Sequence, residues 1–277
     1  GIEFLSRLMR LRPMPVVMVS TLTERGAEVT MKALELGAVD FVAKPKIGVA
    51  DGLKLLAADI TAKIRVAATA KVHKSHEAVG HHGSAATPAR AAAGPVAALG
   101  RLSTEKIIFI GASTGGTEAT KDLLVNLPAD CPAVVITQHM PPGFTKSYAA
   151  RLDSLCKIRV KEAQAGERIL PGHAYIAPGG LHLSVERSGA NYIARVQDGE
   201  PINRHKPSVE VLFGSAARVV GRNAIGIMLT GMGADGARGL KLMRDAGQHT
   251  LVQDRATAMV PEAPTAAIEL GAAAKEV

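Results

Sequence analysis

The chain is 277 residues long, 47% hydrophobic but only 3% aromatic, lacks tryptophan and carries a formal net charge of +8. That length fits one large domain or two smaller ones, and an aliphatic core of this kind suits parallel sheets buried on both faces. Two cysteines, Cys131 and Cys156, exclude a disulfide framework and point to a reducing compartment; with no apolar run near the roughly 20 residues of a membrane span and no secretory signal, a cytoplasmic location without membrane insertion is expected.

In chain order, Ile2, Leu5, Leu8, Met9 and Leu11 fall at helical spacing and predict a helix over 2–11, stopped by Pro13 and Pro15. A strand is expected over 16–19, a helix over 24–36 closed by Gly37, a strand over 39–43 and a last helix near 52–68. This αβαβα order reads as the closing half of an α/β unit. Because the chain begins with Gly1 inside an amphipathic pattern, its N-terminus reads as truncated or processed.

From 69 to 104 the composition shifts to Ala, Gly, Pro, Ser, His and basic residues, which predicts a flexible linker. Residues 61–104 carry six basic and one acidic side chain, against nineteen and seventeen over 105–277. The positive excess therefore lies mostly in a tether, which argues against nucleic-acid binding and leaves an acidic protein partner open. His73, His76, His81 and His82 sit there, but no Cys or acidic residue completes a metal-ligand set, so a polar tether is the expectation.

Strands are predicted over 107–110, 133–137, 158–161, 174–177, 181–186, 191–196, 224–229 and 249–252, and helices over 117–126, 143–155, 207–220, 236–246 and 261–270. Their alternation predicts an α/β fold with a doubly wound, mainly parallel, Rossmann-like sheet. The turns Pro178-Gly179-Gly180 and Ser188-Gly189-Ala190 predict an antiparallel excursion across 174–196.

Ligands of open α/β sheets gather at the carboxyl ends of the strands. Three polar residues fall there, each on a Gly- or Pro-rich loop: Ser113 in Gly111-Ala-Ser-Thr-Gly115, His139 in Thr137-Gln-His-Met-Pro-Pro-Gly143, and Asp235 in Thr230-Gly-Met-Gly-Ala-Asp-Gly236. A serine hydroxyl needs a base to act as a nucleophile at neutral pH, which assigns His139 to its proton and Asp235 to orienting the imidazole. The N–H groups of Thr114 and Gly115 are candidate oxyanion donors. The order Ser, His, Asp differs from the Ser, Asp, His order of α/β-hydrolases, although G-x-S-x-G by itself would suggest that family.

Other candidates carry less. His173 and His182 read either as pocket-lining or as turn and surface residues. His205, in the cationic run Asn203-Arg-His-Lys-Pro-Ser208, reads either as part of an acidic-substrate site or as solvated. Cys131 and Cys156 lack the setting of an activated thiolate. Asp198 and Glu200 form an isolated acidic pair, and Gly111–Gly116 lacks both a full G-x-G-x-x-G and the lysine of a phosphate loop.

Residues 106–271 closely resemble the catalytic domain of the chemotaxis protein-glutamate methylesterases, the CheB family. The runs Ile110–Thr117, Thr137–Phe144, Ala174–Gly180, Lys206–Val209 and Leu229–Gly236 carry the resemblance. It implies a catalytic domain over 105–277 with Ser113, His139 and Asp235 as its triad. The implied activity is hydrolysis of receptor glutamate methyl esters and deamidation of selected receptor glutamines, with no metal or organic cofactor. The implied partners are methylated chemoreceptors and, through a complete receiver domain, the chemotaxis histidine kinase.

Residues 1–68 resemble the second half of a flavodoxin-like response-regulator receiver. Ser20 matches its switch hydroxyl and Lys44 its phosphate-sensing lysine, while the phosphoacceptor aspartate and the Mg²⁺-binding acids are expected upstream of Gly1. In the complete protein the receiver is expected to shield the Ser113 edge until phosphorylated. A regulatory receptor-binding module with a vestigial esterase site, and a general small-ester hydrolase, are the alternatives.

Overall fold

The computed structural model describes residues 1–21, 23–44, 49–72 and 106–277. The histidines of the expected tether and most of its length, 73–104, lie outside these residues.

The N-terminal unit runs α1 (Ile2–Leu11), β1 (Val17–Ser20), α2 (Glu24–Glu35), β2 (Asp40–Ala43) and α3 (Val49–Thr69), with β1 and β2 paired in parallel. Thr23 caps α2 by accepting from the Gly26 N–H at 3.0 Å. Gly37, at φ +101, provides the left-handed turn that releases the chain into β2.

The larger unit contains β3 (Ile107–Ala112), α4 (Gly116–Val125), β4 (Ala133–Gln138), α5 (Thr145–Leu155), β5 (Arg159–Glu162), β6 (His173–Ile176), β7 (His182–Ser188) and β8 (Asn191–Gln197). After these come α6 (Val209–Val219), β9 (Ala224–Met228), α7 (Ala237–Asp245), β10 (His249–Val252), α8 (Glu262–Glu269) and β11 (Lys275–Glu276). Seven strands form one sheet in the order β11-β10-β9-β3-β4-β6-β5, every pair parallel.

The antiparallel excursion is narrower than its turns imply. β6 is a parallel member of the main sheet, and only β7 and β8 form an antiparallel pair, in a two-stranded sheet of their own. Pro178-Gly179-Gly180 therefore leads out of the main sheet rather than closing a hairpin. Gly179 is needed there because a Cβ would lie 2.5 Å from the Pro141 carbonyl oxygen.

β3 is apolar along its length because both of its faces are covered. Phe109 packs with Val135, Phe213, Leu240 and Met243 on the side of α6 and α7. Ile110 packs with Ile136, Leu124, Tyr148 and Leu152 on the side of α4 and α5. Leu5, Met9 and Phe41 of the N-terminal unit join that second cluster. The Phe41 and Phe144 rings meet at 4.6 Å, and Arg151 Nε donates to Glu35 Oε1 at 2.5 Å. Among the described residues no helix is long and apolar enough to cross a membrane.

Candidate active site

The strand order places the site. β4 and β9 flank β3 on opposite sides, and the chain runs outward from β3 in both directions, so the carboxyl end of β3 is the topological switch point where such sheets bind ligands. Register then sets the residues. Ala112 pairs with Gln138, so Ser113 and His139 are the first residues beyond two adjacent strand ends. The His139 N–H still donates to the Ala112 carbonyl at 3.0 Å. On the other side, Gly111 pairs with Met228, and the Ser113 N–H donates to the Thr230 carbonyl at 3.0 Å.

Asp235 arrives from the loop after β9 and meets His139 across the end of β3: Nε2 to Oδ2 is 2.8 Å. The carboxylate is almost fully enclosed. Its Oδ1 accepts from Asn203 Nδ2 and Ser208 Oγ, both at 2.8 Å, and its Oδ2 also accepts from the Val209 N–H at 2.7 Å. Burial pushes its pKa up, but the bonds from His139, Asn203 and Ser208 and the charge of His139 outweigh this and hold it below the usual carboxylate value. An ionised, immobile carboxylate is what orienting an imidazole requires.

With Nε2 committed to Asp235, Nδ1 of His139 is buried without a hydrogen-bond partner. Nδ1 is thus the ring nitrogen that the acid does not engage, the reverse of the more familiar arrangement in which Nδ1 faces the aspartate. Half-buried Ser113 shares a cavity of about 190 Å³ with His139, Thr114, Met140, His205 and Met232. Gly115, at φ +78, turns the chain directly into α4, so Thr114 and Gly115 lie at the positive end of that helix.

Two glycines make the close approaches possible. A Cβ on Gly231 would sit 2.7 Å from the Ser113 Cβ, and one on Gly111 would sit 2.2 Å from Val209 Cγ1. Gln138 ties down the Ser113 loop by donating Nε2 to the Ser113 carbonyl at 2.7 Å.

The structure brings all three proposed residues together and sorts the remaining histidines. His182 is buried, its Nε2 bonded to the Glu200 carbonyl at 2.9 Å and its Nδ1 accepting from the Ser208 N–H at 3.3 Å, so it is neither a surface nor a turn residue. The His173 ring is hydrogen-bonded to the nearby Pro171 carbonyl at 2.9 Å and stacks on Tyr175, away from the Ser113 cavity. His205 is half-buried against His139 rather than solvated. Asn203 and Ser208, which the sequence marks as the ends of a cationic run, belong to the site through their bonds to Asp235. Ser208 carried a signal, since a serine directly before an apolar helical run marks an N-cap, and it does cap α6 through the Glu210 N–H at 3.1 Å. Among the described residues no group of three His, Cys, Asp or Glu side chains is placed to hold a metal.

A family model described as CheB methylesterase matches residues 108–277. The chain belongs to the CheB methylesterase family. Its CheB relatives include the protein-glutamate methylesterase/protein-glutamine glutaminase 1 of Albidiferax ferrireducens, 66% identical over 99% of this chain and 73% of that protein. The protein of the same activity name from Nitrosomonas europaea is 58% identical over 98% of this chain and 75% of its own length. Among solved structures, the Thermotoga maritima CheB methylesterase catalytic domain superposes with a TM-score of 0.61 at 38% identity, covering 62% of this chain and 91% of that one.

Proposed function

We propose that this chain hydrolyses glutamate methyl esters on chemoreceptors, releasing methanol, and deamidates selected receptor glutamines, with Ser113 as nucleophile, His139 as base and Asp235 as the orienting acid. The observation that carries the assignment is the 2.8 Å bond from His139 to Asp235 across the end of the strand that presents Ser113.

Nδ1 of His139 takes the hydroxyl proton as Ser113 Oγ attacks the ester carbonyl carbon. The N–H groups of Thr114 and Gly115 receive the oxyanion. As the tetrahedral intermediate collapses, His139 returns the proton to the departing methoxide, giving methanol and an acyl-serine. Water, deprotonated by the same nitrogen, releases glutamate and restores Ser113. With a glutamine substrate the leaving group departs as ammonia. The cycle closes without a cofactor.

Residues 1–68 are proposed as the closing half of a receiver, 69–104 as its linker and 105–277 as the catalytic domain of a cytoplasmic enzyme controlled by a histidine kinase. The contact between the two units supports shielding of the site: Thr114 Oγ1 donates to Asp40 Oδ2 at 2.5 Å, and Asp40 and Lys63 line the same cavity as Ser113. The Mg²⁺ of a complete receiver has no ligand set among the described residues, and no step is assigned to it. Ser20 Oγ donates to the Gly26 carbonyl at 3.1 Å.

Methanol release from methylated receptor tests the assignment. Ser113→Ala is expected to abolish it, and activity within a few-fold of the parent would remove Ser113 from the role. Phosphonylation of Ser113 by a serine-directed probe separates an active site from a vestigial one. Comparable turnover of simple esters would favour a general esterase.

A further inference from the structure

His205 lines the same cavity as Ser113 and His139 but takes no part in the proposed steps. The His205 ring lies flat on the His139 ring, with centroids 3.7 Å apart and planes inclined by 6°. Contact this close and this parallel restricts rotation of His139 about its side-chain bonds on that face. His205 is itself held. Its N–H donates to the Ile202 carbonyl at 2.8 Å, and the Ile202 N–H returns a bond to His205 at 3.1 Å. On either side of it, Asn203 and Ser208 both donate to Asp235. Asn203 and Arg204 take φ values of +52 and +70, a conformation that non-glycine residues hold only where their surroundings require it. One loop therefore braces both the carboxylate and the imidazole of the triad.

Burial and the neighbouring cationic groups favour the neutral form of His205. Burial, and after it the facing His139, push its pKa down to about 4. Lys63 from α3 and Arg204 on its own loop act in the same direction, and Asp235 opposes them. Asp40, Asp59 and Lys206 line the same cavity. At neutral pH the ring thus offers an uncharged aromatic face to His139. A positive ring above such a face is attracted to it, whereas two positive rings would repel.

We propose that His205 is a positioning residue whose stacked ring holds His139 with Nε2 on Asp235 and Nδ1 toward the Ser113 cavity, and stabilises the imidazolium formed when Ser113 gives up its proton. This rests on the Ser113–His139–Asp235 reading of the site.

The test compares His205→Ala, His205→Leu and His205→Phe in the full chain, with Ser113→Ala as the control for the triad. In His205→Ala and His205→Leu, kcat on methylated receptor is expected to fall by roughly 10- to 100-fold with KM little changed, as misplacement of a catalytic group does. His205→Phe, which keeps a flat ring, is expected to recover most of that loss. NMR gives a readout that does not depend on turnover: the ring-current shift of the His139 ring proton should persist in His205→Phe and vanish in the Ala and Leu variants. Equal activity of Leu and Phe variants, with circular dichroism showing both folded, would reduce His205 to a space-filler and overturn the proposal. So would parental kcat in His205→Ala. Undiminished activity of Ser113→Ala would instead overturn the triad, leaving the NMR comparison to judge the stack alone.

Discussion

Thr114, the residue after the proposed nucleophile, donates its hydroxyl to Asp40, 74 positions earlier in the chain, at 2.5 Å. Asp40 is in turn paired with Lys63 at 3.1 Å. The N-terminal unit therefore reaches the head of α4, where the oxyanion of the reaction would form. A carboxylate bonded beside that position opposes the approach of a carbonyl substrate. Asp40→Ala is expected to raise unstimulated methanol release several-fold, because a hydrogen bond to a charged group contributes about 1.5–3 kcal/mol to holding the units together. Unchanged basal activity would separate this contact from any shielding.

Ser208 serves two elements at once. It caps α6 and donates to Asp235 Oδ1. Ser208→Ala is expected to cost roughly 1–2 kcal/mol in denaturant stability through the lost cap. It should also lower kcat by leaving Asp235 one donor short. Asn203→Gly removes the other Oδ1 donor without touching a cap and suits the left-handed backbone at φ +52, so it should lower kcat with little change in stability. A loss of stability in Asn203→Gly equal to that in Ser208→Ala would show that the bond to Asp235, not the cap, is what stabilises the fold.

Gly111 and Gly231 should fail in different ways. The Cβ of Gly111→Ala would collide with Val209 in the packed layer between β3 and α6, so a loss of roughly 1–3 kcal/mol from overpacking is expected. That of Gly231→Ala would press on Ser113 itself, 3.2 Å from its N and 2.7 Å from its Cβ. Turnover should fall there more than melting temperature does.

His205 and Asp235 set separate pH windows. His205 is neutral in the fold down to about pH 4, against an ordinary value of 6.5. The unfolded chain therefore binds the extra proton first, and stability present above pH 6.5 is lost as the pH falls from 6.5 toward 4. The Asp235 carboxyl is depressed below 3.8, so the stability it contributes is retained above that value and is lost only as the pH falls through its lower folded-state pKa. Denaturant melts across this range should show the first slope flattened in His205→Phe and the second unchanged.

The sequence by itself determined the elements and the three loops that carry the chemistry. Apolar runs such as Ile107–Ile110 and Ala133–Thr137 marked buried strands, and glycines and prolines marked their ends, because local sterics punctuate a chain without reference to its fold. The two-residue β11 was too short to leave a pattern. The path of β6 was also hidden: a Pro-Gly-Gly turn shows where a strand stops but not which neighbour it pairs with. Strand order decided that, and with it that β4 and β9 flank β3, so that His139 and Asp235 meet beside Ser113. Only the tertiary structure could decide which imidazole nitrogen faces the acid, that His205 lies on His139, and that Asp40 reaches Thr114. Those contacts join residues far apart in the chain through the direction of side chains, and side-chain direction depends on packing that no short window of sequence contains.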